Sequence, residues 1–268
     1  MPPAPPVLLG VLNTTPDSFS DGGRYLDPAA AIAHGRALVA AGADVVDVGG
    51  ESTRPGARAV GEAEELRRTV PVVAALADDG IRVSIDTRSA AVAEAALAAG
   101  ATIVNDVSGG LKDPRMLRVV AASSAELVLM HSRGPAGDAP HYSDVVGEVR
   151  AELAARVAAA RAAGIPDERL VLDPGIGFAK GAKENWALLA RVDELAVDGI
   201  RLLVGVSRKR FLASLAPDGA PAEARDLPTA VLSALLAGRG VWGLRVHDVA
   251  GTRTALDVVA ALRGAVAA

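Results

Sequence analysis

The most informative absence in this 268-residue sequence is that of cysteine. Without cysteine there can be no disulfide framework, no thiolate site for zinc or iron–sulfur clusters, and no thiol nucleophile. Any nucleophile or metal ligand must therefore be an oxygen or a nitrogen atom. Long apolar runs are missing too: no stretch approaches the roughly 18 uninterrupted residues that a membrane-spanning helix needs. We therefore expect no membrane partner.

An excess of positive charge is also lacking. The sequence has 28 Lys and Arg residues against 32 Asp and Glu residues, for a net charge of −4. This balance offers no general attraction to nucleic acid or to acidic membranes, so we expect neither as a partner. The first residues are rich in proline and carry no basic side chain, and the apolar run after them ends at Asn13, too early for a signal peptide. The expected location is the cytoplasm.

Lysine is scarce as well. It supplies only four of the 28 basic residues, at positions 112, 180, 183 and 209. This proportion indicates a compositional preference for arginine. A lysine that persists against such a preference is a candidate for a specific role.

The rest of the composition is that of an ordinary globular chain, with 50% hydrophobic and 22% charged residues. Eight short apolar runs predict strands, at residues 7–12, 44–48, 82–85, 102–104, 126–130, 170–172, 202–206 and 241–246. Eight alanine-rich segments with helical spacing lie between or after them, at residues 28–41, 62–77, 89–98, 114–122, 144–163, 183–197, 228–238 and 252–262. Apolar strands that alternate with amphipathic helices indicate a parallel sheet covered by helices.

The spacing of these units favours a (β/α)₈ TIM barrel. The units repeat about every 33 residues, the length of one strand, one helix and their loops. We predict a single domain over residues 1–268, with residues 1–6 as a proline-rich tail and residues 215–227 as an excursion in the seventh unit. An open doubly wound sheet is the alternative. It needs a glycine-rich phosphate loop after the first strand, which residues 10–16 do not supply.

Polar residues follow nearly every predicted strand, where barrel enzymes place their active sites. They are Asn13, Asp47, Asp86, Asn105, His131, Asp173, Ser207, Arg208, Lys209, Arg245 and His247. A single Asp or Asn at such a position is most simply a helix cap. A whole ring of them is too many for caps alone, because unshared carboxylates and amides in one barrel mouth are costly to desolvate.

The chemistry of these residues predicts the kind of ligand. Asp86, Asn105 and Asp173 provide acceptors and amide donors that suit a flat, nitrogen-rich heterocycle. A second group provides cations, a guanidinium fork and a hard oxygen for an anion and Mg²⁺. Its members are Lys209, Arg245, His247 and Asn13. Together they predict a site for a phosphorylated heterocycle. Alternatively, Arg245 and His247 belong to a salt-bridged strand end near Asp248.

Two polar, glycine-containing loops, at residues 13–23 and 49–56, follow the first two strands. Such loops at a barrel mouth are either lids or simply mobile turns. If they are lids, they carry Asp17, Asp21, Thr53 and Arg54 to the site as functional groups.

Seven stretches of the sequence resemble the dihydropteroate synthases of folate biosynthesis, in the order found in that family. They are LNTTPDSFSDGG (12–23), DVGGESTRPG (47–56), SIDT (84–87), NDVSG (105–109), DPGIGF (173–178), GVSRK (205–209) and RVHDV (245–249). The two long loop motifs, with the SRK and RVH pieces, are the most specific. The resemblance extends from about residue 7 to about residue 262.

The resemblance implies that 6-hydroxymethyl-7,8-dihydropterin diphosphate condenses with 4-aminobenzoate, assisted by Mg²⁺, in a homodimeric enzyme. It implies a pterin site made by Asp86, Asn105, Met130, Asp173, Phe178 and Lys209, with Gly205 beside them. The diphosphate would meet Asn13 through Mg²⁺, together with the segment Arg245, Val246 and His247. The aminobenzoate pocket would consist of Phe19, Thr53, Arg54, Pro55 and Ser207. The residues implied to act in catalysis are Asp17, Asp21, Arg54 and Lys209.

One departure from the family concerns the aminobenzoate carboxylate. Arg210 follows Lys209 where many members have serine. The carboxylate could then rest on a helix N-terminus that begins near Ser207.

Two alternative functions share the predicted barrel. One is a methyltransferase that passes a methyl group from a reduced folate to a corrinoid protein. It would be expected to lack the lid motif at 18–23 and the anion motif at 245–247, both of which are present. The other is a catalytically silent pterin-binding paralogue. The presence of Asp17, Asp21, Thr53, Arg54 and Lys209 argues against it.

Overall fold

The structure is a computed structural model, and it describes residues 4–14, 27–51, 60–134 and 141–267. Eight parallel strands form a closed barrel in sequence order, with the last strand paired to the first. They are β1 (Val7–Asn13), β2 (Val45–Gly49), β3 (Val83–Asp86), β4 (Ile103–Asp106), β5 (Glu126–Met130), β6 (Leu170–Asp173), β7 (Arg201–Val204) and β8 (Gly243–Val246). The predicted (β/α)₈ barrel is therefore confirmed, and the open sheet is excluded.

A helix follows each strand and covers the outside of the barrel. The helices are α1 (Pro28–Ala40), α2 (Glu62–Asp78), α3 (Ala90–Ala98), α4 (Met116–Ala121), α5 (Val145–Ala162), α6 (Ala182–Ala190), α7 (Asp226–Ala237) and α8 (Val249–Ala267). Among the described residues, no helix combines the length and the apolar character needed to cross a membrane.

The predicted helix boundaries differ most from the structure in the sixth and eighth helices. The sixth helix was expected to reach residue 197, but α6 ends at Ala190 and a 3₁₀ turn, Val192–Leu195, follows it. The excursion at 215–227 contains another 3₁₀ turn, Ala222–Arg225, which leads directly into α7. Helix α8 begins before the expected residue 252, because the Asp248 carboxylate accepts a hydrogen bond from the backbone N–H of Gly251 and caps the first turn.

The core has two layers because strand side chains alternate between the two faces of the sheet. The layer inside the barrel consists of Leu9, Val45, Ile103, Val128, Val171 and Leu203. The larger layer lies between the strands and the surrounding helices. Two residues further along the strands, the inward positions are occupied by Asp47, Asn105, Met130, Asp173 and Arg245. The fold therefore places a polar layer directly above the apolar interior, at the carboxyl end of the barrel.

Candidate active site

The centre of the polar layer is an ion-pair cluster around Arg245. Its Nε donates to Asp47 Oδ2 at 2.6 Å, and its Nη2 donates to Asp86 Oδ2 at 2.8 Å. Asp47 is fully buried and also accepts a hydrogen bond from Asn105 Nδ2 at 3.2 Å. The four side chains come from β8, β2, β3 and β4. Arg245 thus forms its ion pairs inside the barrel, with Asp47 and Asp86. The alternative, a salt-bridged strand end near Asp248, is not what the structure shows for Arg245.

This setting shifts the ionisation of both Arg245 and Asp86. Burial raises the pKa of Asp86 to about 7, and the neighbouring charge of Asp47 adds to this effect, whereas Arg245 opposes it. Burial alone would lower the pKa of Arg245, but the carboxylates of Asp47 and Asp86 outweigh it and raise that pKa above its usual range. Arg245 therefore stays charged, while Asp86 can either donate or accept a proton near neutral pH.

Asp173 at the end of β6 and Lys209 in the segment after β7 lie near this cluster, since Lys209 interacts electrostatically with Arg245, Asp173 and Asp86. Burial raises the pKa of Asp173, opposed by the backbone N–H of Gly175, which donates to Oδ1 at 2.7 Å, and by the charge of Lys209. Burial, followed by repulsion from Arg245, lowers the pKa of Lys209 to about 8, and Asp173 and Asp86 counteract this. A carboxylate and an ammonium of this kind can hydrogen-bond opposite parts of a heterocycle edge.

Phe178 and Met130 provide apolar surface beside these groups. The Nζ atom of Lys209 lies 4.1 Å from the centroid of the Phe178 ring, a cation–π contact. The close approach requires glycine at position 177, which has φ +79° and where a Cβ would lie 2.9 Å from Lys209 Cδ. Met130 is buried at the end of β5. The structure thus brings together all six predicted pterin-site residues: Asp86, Asn105, Met130, Asp173, Phe178 and Lys209.

Ser207, in the turn after β7, is hydrogen-bonded to His247. Ser207 Oγ accepts a hydrogen bond from the His247 backbone N–H at 3.0 Å and lies 2.9 Å from His247 Nδ1. Between Ser207 and Lys209, Arg208 adopts a left-handed conformation with φ 58°, held by two hydrogen bonds of 2.7 Å to Asp226. The regular structure that follows is a 3₁₀ helix from Arg210 to Leu215, so the expected helix N-terminus near Ser207 is wrong.

Asn13 ends β1 and lies at the same mouth, half-buried. Gly49 separates it from Asp86: a Cβ built there would lie 3.6 Å from both Asn13 Oδ1 and Asp86 Cβ. The amide oxygen of Asn13 is therefore a hard oxygen atom close to the acidic cluster, and its role as a metal ligand stays a prediction. In the described part of the chain, no group of three or more His, Asp or Glu residues could hold a metal by itself.

Val246 differs from its neighbours in orientation. Its side chain is 1% exposed and belongs to the apolar layer between the barrel and the helices. Arg245 and His247 lie on the opposite strand face, as alternation requires. A role of Val246 in substrate binding is thus limited to its backbone groups.

Six predicted site residues lie outside the described residues, so their roles stay predictions. They are Asp17, Phe19, Asp21, Thr53, Arg54 and Pro55.

Sequence reasoning gave no role to several buried polar residues, of which Asp47 and Lys180 bear on the site. Asp47 was counted among the polar strand ends but was given no role. Its signal in the sequence is a single carboxylate between two valines of a buried strand, which indicates a partner for a buried cation. Lys180 is 8% exposed and lies just after the DPGIGF segment. Its only sequence signal is the scarcity of lysine.

Comparison with known proteins agrees with this geometry. Residues 9–247 match the pterin binding enzyme family. A dihydropteroate synthase from Mycobacterium leprae is 56% identical over 266 residues, covering 96% of this chain and 94% of the relative. The Xanthomonas albilineans dihydropteroate synthase with 4-aminobenzoic acid has a TM-score of 0.90 and 46% identity, covering 97% of this chain and 93% of that chain.

Two further solved structures are similar over nearly the same range. The X. albilineans enzyme in complex with 7,8-dihydropteroate has a TM-score of 0.87 at 43% identity, covering 97% of this chain and 94% of that chain. The Yersinia pestis dihydropteroate synthase with a sulfonamide drug complex has a TM-score of 0.91 at 39% identity, covering 97% of this chain and 95% of that chain. This chain belongs to the pterin-binding enzyme family and, within it, to the dihydropteroate synthases.

Proposed function

We propose that this chain is the transferase that condenses 6-hydroxymethyl-7,8-dihydropterin diphosphate with 4-aminobenzoate, giving 7,8-dihydropteroate and diphosphate. The observation that carries the proposal is the convergence of a heterocycle-binding set and an anion-binding set in one barrel mouth. The first set contains Asp173 and Asn105, and the second contains Arg245 and His247. The dihydropteroate and 4-aminobenzoic acid bound to the X. albilineans relative support the same reaction.

The pterin would lie between the ends of β3 to β7. Asp173 would accept hydrogen bonds from ring N–H groups, and Asn105 can both donate and accept. The ionisable group of Asp86 adapts to either role, because burial places its pKa at about 7. Lys209 would direct its ammonium at a ring nitrogen or carbonyl while its stem packs against Gly177.

The diphosphate would lie beside Arg245, His247 and Ser207. Departure of diphosphate leaves positive charge on the methylene group attached to the electron-rich dihydropterin. Fixed cations that stabilise the departing anion lower the barrier of that step, because they are already oriented when the charge develops. The weakly nucleophilic arylamine then attacks the carbon, and its nitrogen releases one proton to water as the C–N bond forms. No protein nucleophile is required.

Asn13 fits a role as a ligand to Mg²⁺. Magnesium usually takes one or two oxygen ligands from the protein and the others from water and substrate phosphates. A single amide oxygen next to the anion-binding residues suits that arrangement, so the small number of candidate ligands is no obstacle. When bound, Mg²⁺ would stabilise the charge of the leaving diphosphate.

The loops after β1 and β2 are proposed to complete the site. Asp17 and Asp21 would close over the pterin after diphosphate begins to leave, and Arg54 would act with them. Thr53 and Arg54, with Phe19 and Pro55, would frame the aminobenzoate. Their part in the reaction is deduced from the sequence motifs.

A diphosphate-release assay tests the proposed function. We expect release with the pterin diphosphate and Mg²⁺, formation of dihydropteroate only when 4-aminobenzoate is added, and loss of both when Mg²⁺ is chelated. Binding of the pterin without any release would indicate the silent paralogue. Methyl transfer from a reduced folate to a corrinoid protein would indicate the methyltransferase.

We also propose that the chain forms a homodimer through α7 and α8, in the cytoplasm. Helix α7 exposes Leu227, Val231 and Leu235, one turn apart, at 74%, 51% and 64%. The adjacent α8 exposes Val258 and Leu262 at 55% and 66%. The two helices pack against each other, so these side chains form one apolar patch of the kind that marks a protein interface.

Replacing Leu235 with Glu is expected to convert the dimer into monomers, because the change places a charge in the centre of the apolar patch. Sedimentation velocity at micromolar concentration measures the change in mass. Leu111→Glu is the matched control, since Leu111 is 58% exposed in the loop after β4. A parent protein that is already monomeric, or a Leu235→Glu variant that remains dimeric, contradicts this interface.

A further inference from the structure

Lys180 is a buried ammonium group that the proposed reaction does not use. Its Nζ lies 2.9 Å from His131 Nδ1, and it donates to the carbonyl oxygens of Gly175 and Phe178, each at 3.0 Å. A lysine ammonium has three N–H donors and no acceptor. The three contacts therefore saturate it, and Lys180 can be buried without an unsatisfied polar group.

The two carbonyl groups bracket the turn that follows β6. Within this turn, the Gly175 N–H orients the Asp173 carboxylate, and the Phe178 N–H donates back to Gly175 O at 3.0 Å. The turn requires glycine at position 175, which has φ +66° and where a Cβ would collide with the His131 carbonyl oxygen. The backbone of one short segment thus sets both the direction of Asp173 and the position of the Phe178 ring over Lys209.

His131 connects Lys180 to the outer part of the barrel. Because Lys180 can only donate, His131 Nδ1 accepts, and Nε2 carries the proton that is donated to Glu152 Oε2 at 2.9 Å. Burial and then the charge of Lys180 lower the pKa of His131 to about 4, so the ring is neutral at physiological pH. Arg133 fixes Glu152 in turn, with Nε donating to Oε1 at 2.8 Å. The turn after β6 is thereby tied to the end of β5 and to α5.

We propose that Lys180 is a positioning residue for the pterin site, which holds the Gly175–Phe178 turn by its two carbonyl groups and so orients Asp173 and Phe178 toward the substrate. This inference rests on the proposed function for the identity of the substrate. Removing the ammonium takes one donor from each of three acceptors, of which only the Gly175 carbonyl keeps the Phe178 N–H described above. The turn then has to rearrange or admit water. The hydrogen bonds described for the anion-binding residues lead to other parts of the barrel: Arg245 donates to Asp47 and Asp86, and the backbone N–H of His247 donates to Ser207 Oγ.

Burial and the neighbouring charges bring the pKa of Lys180 into the physiological range. Burial is the largest cause that lowers its pKa, to about 7, and Lys209 and Arg133 add to this effect. Asp173 and Glu152 oppose it. Loss of the proton removes one of the three donors, so the hold on the turn weakens as pH rises through neutrality.

The test compares Lys180→Met with Lys183→Met, a matched change at an exposed lysine three residues away. In Lys180→Met we expect amide hydrogen exchange at Gly175 and Gly177 to accelerate at least tenfold, corrected for intrinsic rates. Calorimetry should show affinity for 6-hydroxymethyl-7,8-dihydropterin falling at least tenfold, while affinity for inorganic diphosphate changes by less than about twofold. Lys183→Met should resemble the parent in each measurement.

Further variants keep the inference testable if Lys180→Met does not fold. His131→Leu removes one acceptor of Lys180, and should raise the exchange rates and weaken pterin binding in the same direction, whereas His131→Asn retains an acceptor oxygen and should lie closer to the parent. Unchanged exchange at Gly175 and Gly177 in Lys180→Met, or equal losses of pterin and diphosphate affinity, overturn the positioning role. A parent that fails to bind pterin overturns the proposed function instead, and the exchange rates still decide whether Lys180 holds the turn.

Discussion

Asp173→Ala is expected to abolish productive pterin binding while leaving the affinity for inorganic diphosphate close to that of the parent. Asp173 is 7% exposed, and the Gly175 N–H holds its Oδ1 at 2.7 Å, so the carboxylate is already oriented when the ligand arrives. Each charge-assisted hydrogen bond lost from such a site costs ~1.5–3 kcal/mol. Loss of two of them corresponds to an affinity decrease of roughly a hundredfold or more.

Isothermal titration calorimetry with the unphosphorylated pterin measures this effect, and circular dichroism checks that the variant is folded. Asp173→Asn is the matched control, because it keeps the shape and one acceptor but removes the charge. Its affinity should fall between those of the parent and the alanine variant. An alanine variant that is folded and binds the pterin with the parent's affinity removes Asp173 from the site.

The parts of the site that were predictable follow from the alternation of strand residues. Apolar runs of known length fix where each strand ends, and side chains two positions apart share a face. This is enough to bring Asp86, Asn105 and Asp173 to one end of the barrel from residue types alone. The same rule places Val246 on the opposite face from Arg245 and His247, so the orientation of its side chain was also accessible to sequence reasoning.

The contacts that tune the site were not predictable in the same way. Arg245 and Asp47 are separated by 198 positions, and their pairing depends on the closure of the barrel between β8 and β2 through β1. The position of Lys180 depends on the path of the turn after β6, which leaves both carbonyl groups pointing at one ammonium. Local sequence patterns contain no information about either distance.

The expected helix start near Ser207 failed for a local reason. A helix needs consecutive residues in the right-handed region, and Arg208 has φ 58°. The cost of that conformation is offset by contacts formed with a later part of the chain, where Asp226 binds the guanidinium and Arg225 Nη1 donates to the Arg208 carbonyl at 2.9 Å. Residues 207 and 208 therefore lie outside helical structure, and the 3₁₀ helix begins only after Lys209.

Arg245→Ala is expected to weaken binding of diphosphate and of the pterin diphosphate by about a hundredfold, and binding of the unphosphorylated pterin much less. In this structure the guanidinium also neutralises Asp47 and Asp86, from which it lies 2.6 and 2.8 Å away. The variant thus leaves a buried carboxylate pair without its cation, and the free energy of unfolding should fall by about 3–5 kcal/mol. Loss of affinity and loss of stability must be separated before the anion-binding role can be judged.

The double variant Asp47→Asn with Arg245→Ala separates them. Removing the fully buried negative charge of Asp47 should restore much of the stability, measured by urea unfolding, but none of the affinity for diphosphate.

The pH dependence of stability provides a second check on the role of Arg245. Burial raises the folded-state pKa of Asp86 to about 7 in the parent, above the unfolded value of 3.8, so folding takes up a proton between these values and stability decreases as pH rises through this window. The charge of Arg245 lowers the pKa of Asp86, so its removal should raise that pKa further and extend the pH range of falling stability upward. The single variant should therefore be markedly more stable at pH 5 than at pH 8. Equal losses of affinity for the pterin and for its diphosphate in the stabilised double variant would show that Arg245 maintains the cluster and does not recognise the anion.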